Sequence, residues 1–147
     1  MAKQQLTIDP HVAERLRQEP IIWLSSVRPD QRPHLVPVWF VWDGSEAILI
    51  VSEPENQKIR NIRQNNHVTL ALETAQGGDD VVLIEGDAEL VEDETLAFQI
   101  SHPTLAVAYI EKYGQKIEQM GQTLESLIMS YRQPIHITLT RIVSWTE

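Results

Sequence analysis

The chain has 147 residues, no cysteine and a formal net charge of −9; that length suits one domain over residues 1–147, able to remove roughly 70% of its unfolded surface from water. Without cysteine there is no disulfide framework, thiolate nucleophile or cysteine metal site. Met1 to Gln64 carries 8 basic and 8 acidic residues and Asn65 to Glu147 carries 4 and 13, an acid excess that predicts no nucleic-acid partner; the short apolar runs and the opening MAKQQLTIDP predict no membrane span or leader, and the lack of cysteine fits a cytoplasmic protein.

In chain order, Asp9 and Pro10 read as the N-cap and first-turn proline of an amphipathic helix over Thr7 to Gln18, with Ile8, Val12 and Leu16 on one face. IIWLSSV, Ile21 to Val27, is the first predicted strand, closed by the turn Arg28-Pro29-Asp30-Gln31-Arg32-Pro33. His34 to Trp42 is the second, and it is apolar on both faces. That pattern predicts cover on both sides, in a closed or partly closed barrel whose wall meets another layer or a second subunit. Pro37 removes one ladder donor, so a bulge or edge is expected there, with backbone groups left for a ligand. Trp42 reads as core. Asp43-Gly44-Ser45-Glu46 is the next turn and Ala47 to Ser52 the returning strand.

After the loop Glu53 to Gln57, a short helix over Lys58 to Gln64 would dock through Ile59 and Ile62 and keep Lys58 and Arg63 wet. Asn56 is the candidate N-cap. A hydroxyl from Ser52, the Lys58 ammonium and free helix N–H groups would then converge on a phosphate. His67 to Leu72 alternates as a fourth strand, Gly77 to Asp80 forms a loop, and Val81 to Val91 is a fifth strand with a bulge at Gly86. From Glu94 to Tyr131 the pattern is helical, with a break at Ser101-His102-Pro103 and then Leu105, Tyr109 and Tyr113 at four-residue spacing. These helices are expected to cap one end of the barrel, and Pro134 to Trp145 supplies a sixth strand.

The five histidines show no metal-ligand spacing, and the elbow and glycine-loop motifs of serine hydrolases, P-loop proteins and dinucleotide-binding folds are missing. The acid pairs Asp79/Asp80 and Glu92-Asp93-Glu94 read as solvated turn charge. No catalytic side chain and no metal ligand is assigned.

Arg28-Pro-Asp-x-Arg-Pro-His-x-x-Pro-Val-Trp-Phe-x-Trp-Asp-Gly, followed by Val51-Ser52, Lys58-x-x-Asn61-Ile62-Arg63 and Val68, resembles the pyridoxamine 5'-phosphate oxidase-like FMN-binding split-barrel superfamily. It is most similar to the flavin/deazaflavin oxidoreductase branch, over roughly Ile21 to Val91. The resemblance implies a mainly β fold: a six-stranded antiparallel split β-barrel of Greek-key type with flanking helices. It implies a homodimer with cofactor clefts between subunits. Val36, Pro37, Val38 and Trp39 would lie along the flavin ring. Val51, Ser52, Lys58 and Asn61, with Ile62 in the same motif, would surround the ribityl phosphate, assisted by Arg63. Arg141 and Trp145 of the partner's last strand would close the cleft. The implied activity is hydride transfer between FMN, or alternatively a deazaflavin coenzyme, and a small organic substrate. The alternative is a non-catalytic carrier of haem, another tetrapyrrole or flavin, for which His34 or His67 would be the feature to examine. The Arg-x-His substrate motif of true pyridoxamine phosphate oxidases is absent around Arg141.

Overall fold

The computed structural model describes residues 6–74, 76–91 and 103–146. Helix α1 (Pro10–Gln18) starts as its sequence dictates: the Asp9 carboxylate accepts from the His11 N–H at 2.8 Å and Pro10 fills the first turn. Val12 and Leu16 point into the core. Arg15 fixes the helix to the sheet, and it is only 7% exposed. Its guanidinium donates to Asp80 Oδ1 and Asp80 O, both at 3.0 Å, to Glu19 Oε1 at 2.9 Å, and to the Glu73 carbonyl.

Strands β1 (Ile22–Val27), β2 (Pro33–Val38), β3 (Val41–Trp42), β4 (Ala47–Ser52), β5 (His67–Leu72), β6 (Asp80–Leu90) and β7 (Gln133–Thr146) form one antiparallel sheet in the order β2-β1-β5-β6-β7-β4-β3. The two outermost strands, β2 and β3, are consecutive in the chain and separated only by Trp39 and Phe40. The sheet therefore curls into a split barrel, as expected, with its opening where β2 ends. The single strand expected over His34 to Trp42 is two strands, so the sheet has seven where the sequence predicts six. Ile22, Leu24, Phe40, Ile48, Ile50, Leu70, Ile84, Ile135 and Ile137 are fully buried in the interior.

Gly86 marks the expected bulge, with the β6–β7 register shifting between Glu85 and Gly86. A Cβ at this position would lie 2.6 Å from Ile137 Cγ2 and 2.9 Å from the Thr138 carbonyl oxygen. Because backbone as well as side chain would have to move, Gly86→Ala is expected to destabilise the fold by about 2 kcal/mol. Urea unfolding measures this, and an unchanged midpoint would mean that β6 and β7 do not approach so closely.

Helix α2 (Gln57–Gln64) docks through Ile59 and Ile62 on the interior core. Helices α3 (Pro103–Gln119) and α4 (Leu124–Ser130) make a second layer, in which Tyr109, Tyr113, Ile117 and Leu127 pack on Val41 and Leu49, flanked by Trp39 and Val51. They lie on the barrel wall and do not cap its end. The strand buried on both faces is consequently β4, with Ile48 and Ile50 inside and Leu49 outside. By contrast, β2 alternates exposed and half-buried residues, and Leu35 is 61% exposed. The run Glu92-Asp93-Glu94 and the expected break at Ser101-His102 lie outside the described residues.

Candidate functional site

The site begins at the interruption between β2 and β3. A residue between two strands has no ladder partner for its N–H and C=O, and buried groups of this kind must bond elsewhere. At Phe40 it is α3 that supplies the partners. The Phe40 N–H donates to Tyr113 Oη at 2.9 Å, the Tyr113 hydroxyl reaches the Pro20 carbonyl at 2.7 Å, and Lys112 Nζ donates to the Phe40 carbonyl at 3.0 Å. Lys112 also sits 3.7 Å from the centre of the Phe40 ring. Burial lowers its pKa to about 8 despite the opposing charge of Glu19. Beside this latch the Trp39 ring stacks on Tyr113, with centroids 4.5 Å apart and planes 3° from parallel. Tyr113→Phe keeps that stack but strands the Phe40 N–H and the Pro20 carbonyl, so a loss of about 2 kcal/mol is expected in thermal or urea unfolding; a neutral result would mean that water serves both groups.

A cleft of ≈ 270 Å³ opens next to the latch. Its sheet wall is Ile21, Pro37, Val38, Trp39 and Val51, its helical wall is Tyr109, Met120, Leu127 and Tyr131, and Lys58 enters from α2 as its charged residue. Lys58 makes no hydrogen bond or ion pair with any of the described residues. Burial pushes its ammonium below the usual lysine value, with Glu53 pulling the other way. It occupies the second position of α2, whose first turn has no acidic residue and whose N-cap, Asn56, makes no side-chain capping bond. A cation at the positive end of a helix is electrostatically opposed by the helix itself. Both sources of positive charge are complementary to an anion placed between them.

The rest of the chain resembles known proteins as a whole. A model of the pyridoxamine 5'-phosphate oxidase family matches residues 8–145. The chain belongs to this family. Among solved structures it is similar to a conserved hypothetical protein of Mycobacterium tuberculosis, 25% identical with a TM-score of 0.72 over 99% of this chain and 89% of that one. It is also similar to an F420 reductase, 25% identical with a TM-score of 0.64 over 88% and 94% of the two chains. A candidate pyridoxamine 5'-phosphate oxidase of Listeria innocua, 23% identical, shares the fold with a TM-score of 0.67 over 93% and 97%. No curated protein sequence matches the chain.

Of the residues that the family resemblance singles out, Pro37, Val38, Trp39, Val51 and Lys58 come together in the cleft. Others hold the cleft's frame. Val36 packs on the interior core and Ile62 is part of it. Ser52 is fully buried, and its hydroxyl lies 2.9 Å from the Glu53 carbonyl and 3.2 Å from Asn56 Oδ1, bonds that shape the loop before α2. Asn61, also fully buried, donates to Ser26 Oγ at 3.0 Å and accepts from Gln57 at 2.7 Å, tying α2 to β1. Arg63 is exposed, 3.9 Å from Glu55. Arg141 and Trp145 project from the outside of β7, with Arg141 3.8 Å from Glu85. Sequence reasoning missed Ile21, Tyr109, Met120, Leu127 and Tyr131. The spacing of Tyr109 and Tyr113 shows a helical stripe, but not the wall on which it lands.

Proposed function

We propose that the protein is an oxidoreductase, acting in the cytoplasm as a single domain, which binds FMN or a related deazaflavin in this cleft and moves hydride to or from a small organic substrate. The observation that carries the reading is Lys58, a half-buried cation without a partner among the described residues, at one end of an otherwise apolar and aromatic cleft. That donor set fits a flat ring with an anionic tail: Lys58 and the uncapped start of α2 would hold the phosphate, while Pro37, Val38 and Trp39 would support the ring. Family membership and the similarity to an F420 reductase support the same reading. The bound cofactor would supply the hydride chemistry. The chain's own residues bind, orient and exclude water, and no acid–base pair is required of them. The carrier alternative has less support, because neither His34 nor His67 lines the cleft and His67 bonds Asp87 at 2.7 Å.

Adding FMN or a deazaflavin phosphate to purified protein tests the reading by thermal shift and visible absorption. At a hundredfold excess over Kd, binding contributes about 2.7 kcal/mol, or roughly 5–11 °C for a chain of this size. No response to either ligand would reject it.

We also propose that the working unit is a homodimer. Pro37, Trp23, Ala71, Leu83 and Val143 are register partners in turn, an apolar row across the outer faces of β2, β1, β5, β6 and β7. Leu35 and Trp145 extend it and are exposed. A contiguous patch of this kind suits a second copy, which would carry Arg141 and Trp145 toward the other cleft and bury more than about 1,000 Å². Sedimentation equilibrium should give twice the mass of one chain; a monomer at micromolar concentration would refute the dimer.

A further inference from the structure

We propose that the Tyr109 hydroxyl is the hydrogen-bond donor to the ring of the ligand anchored at Lys58, which makes helix α3 a positioning element of the site. The inference rests on the reading of the cleft as a site for a flat ring with an anionic tail. Tyr109 is 8% exposed and lines the cleft. Its hydroxyl has no partner among the described residues, whereas Tyr113, one turn further along the same helix, bonds Phe40 and Pro20. The hydroxyl is not sealed in the core, since the unpartnered buried side-chain polar atom among the described residues is His34 Nδ1, so it is left for a ligand or water in the cleft that Tyr109 lines. The ring is also held in place: it is 5.0 Å from Tyr113 and tilted by 45°, and 6.5 Å from Trp39 and tilted by 47°. Burial, reinforced by Tyr113 and Tyr131, pushes its pKa up, so the hydroxyl keeps its proton.

The chemistry of the cleft sets the class of acceptor. Met120 and Leu127 offer no hydrogen bonds, and Lys58 is committed to the anionic end. A ring that carries a carbonyl or imine nitrogen on one edge would be oriented by the Tyr109 hydroxyl, the more buried of the two phenols in the cleft, since Tyr131 is 39% exposed. Flavins and deazaflavins share such an edge, the pyrimidinedione. A donor on that edge stabilises added negative charge, so it favours the reduced ring over the oxidised one.

The test compares wild type, Tyr109→Phe and Lys58→Ala with FMN and with a deazaflavin phosphate as probes. Tyr109→Phe should retain the wild-type melting temperature without ligand to within a few degrees, bind the probe about fivefold to tenfold more weakly, shift its visible absorption band and make its reduction potential more negative. If Tyr109→Phe matches wild type in affinity, band position and potential while Lys58→Ala has lost the probe, the inference fails and the reading of the cleft stands. Weaker binding with an unmoved band and potential would also overturn it, since it would report packing alone. If Lys58→Ala binds as wild type does, or if wild type binds neither probe, the reading itself fails and takes the inference with it.

Discussion

Asp80→Ala is expected to destabilise the protein by about 3 kcal/mol, the scale for removing one partner of a buried ion pair. For a chain of this size the melting temperature should fall by roughly 6–12 °C. Asp80 serves three bonds: one carboxylate oxygen and the carbonyl accept from Arg15, and the other carboxylate oxygen meets His11 Nε2 at 2.8 Å. With Arg15 7% exposed and Asp80 8% exposed, the guanidinium cannot turn to water when the Asp80 carboxylate is lost and keeps only Glu19 and the two backbone carbonyls, which places the expected cost at the lower end of that scale. Asp80→Asn leaves an acceptor for Arg15 and should cost about half as much. The same network predicts a pH dependence. The His11 hydrogen bond, together with the Arg15 charge, holds the Asp80 carboxyl below its ordinary value against the opposing effect of burial. A carboxyl depressed in the folded state stabilises the fold fully above its unfolded pKa of about 3.9, and that contribution is lost as pH falls through the folded value. Wild type should therefore lose stability below pH 4 more steeply than Asp80→Ala. Parallel acid-unfolding curves for the two proteins would count against the network.

Strands and caps governed by local chemistry were legible in the sequence. Asp9-Pro10 starts α1, His67 to Leu72 is β5, and Gly86 is the bulge, because each depends on residue type and neighbours a few positions away. The second strand was harder to read. Leu35, Pro37 and Trp39 are apolar on a face that the single chain leaves partly exposed, and periodicity cannot separate internal burial from a cleft or subunit contact. Pro37 predicts a bulge or an edge at its own position; β2 is an edge of the sheet, while the break comes two residues later, at Trp39 and Phe40. The sequence does not show that Tyr113 and Lys112, more than seventy positions away, bond the buried backbone groups of Phe40. Ser52 illustrates the same limit at the site. A serine before an uncapped helix next to a lysine has the composition of a phosphate loop, yet its hydroxyl faces Glu53 and Asn56 within the loop. Lys58 reads from the sequence as a wet cation beside Ser52 and the start of a helix, whereas in the fold it is half-buried and lines the cleft.

Lys58→Ala should weaken binding of FMN or a deazaflavin phosphate by roughly 10- to 150-fold, the equivalent of one charge-assisted hydrogen bond of about 1.5–3 kcal/mol. The argument is electrostatic. The cleft contributes apolar and aromatic walls, which favour a ring of any charge, and Lys58 is the cation that lines it. Arg63 is half-exposed and 3.9 Å from Glu55, so it is poorly placed to substitute. Lys58→Arg retains charge but lengthens the side chain and should recover most of the loss. Lys58→Ala should also leave the unliganded protein at least as stable as wild type, since it removes a desolvated cation from the positive end of α2. Titration of each variant with riboflavin separates the contributions. Riboflavin has the ring without the phosphate, so wild type and Lys58→Ala should bind it alike, and a mutation that weakens riboflavin as much as FMN would place Lys58 against the ring instead of the anion.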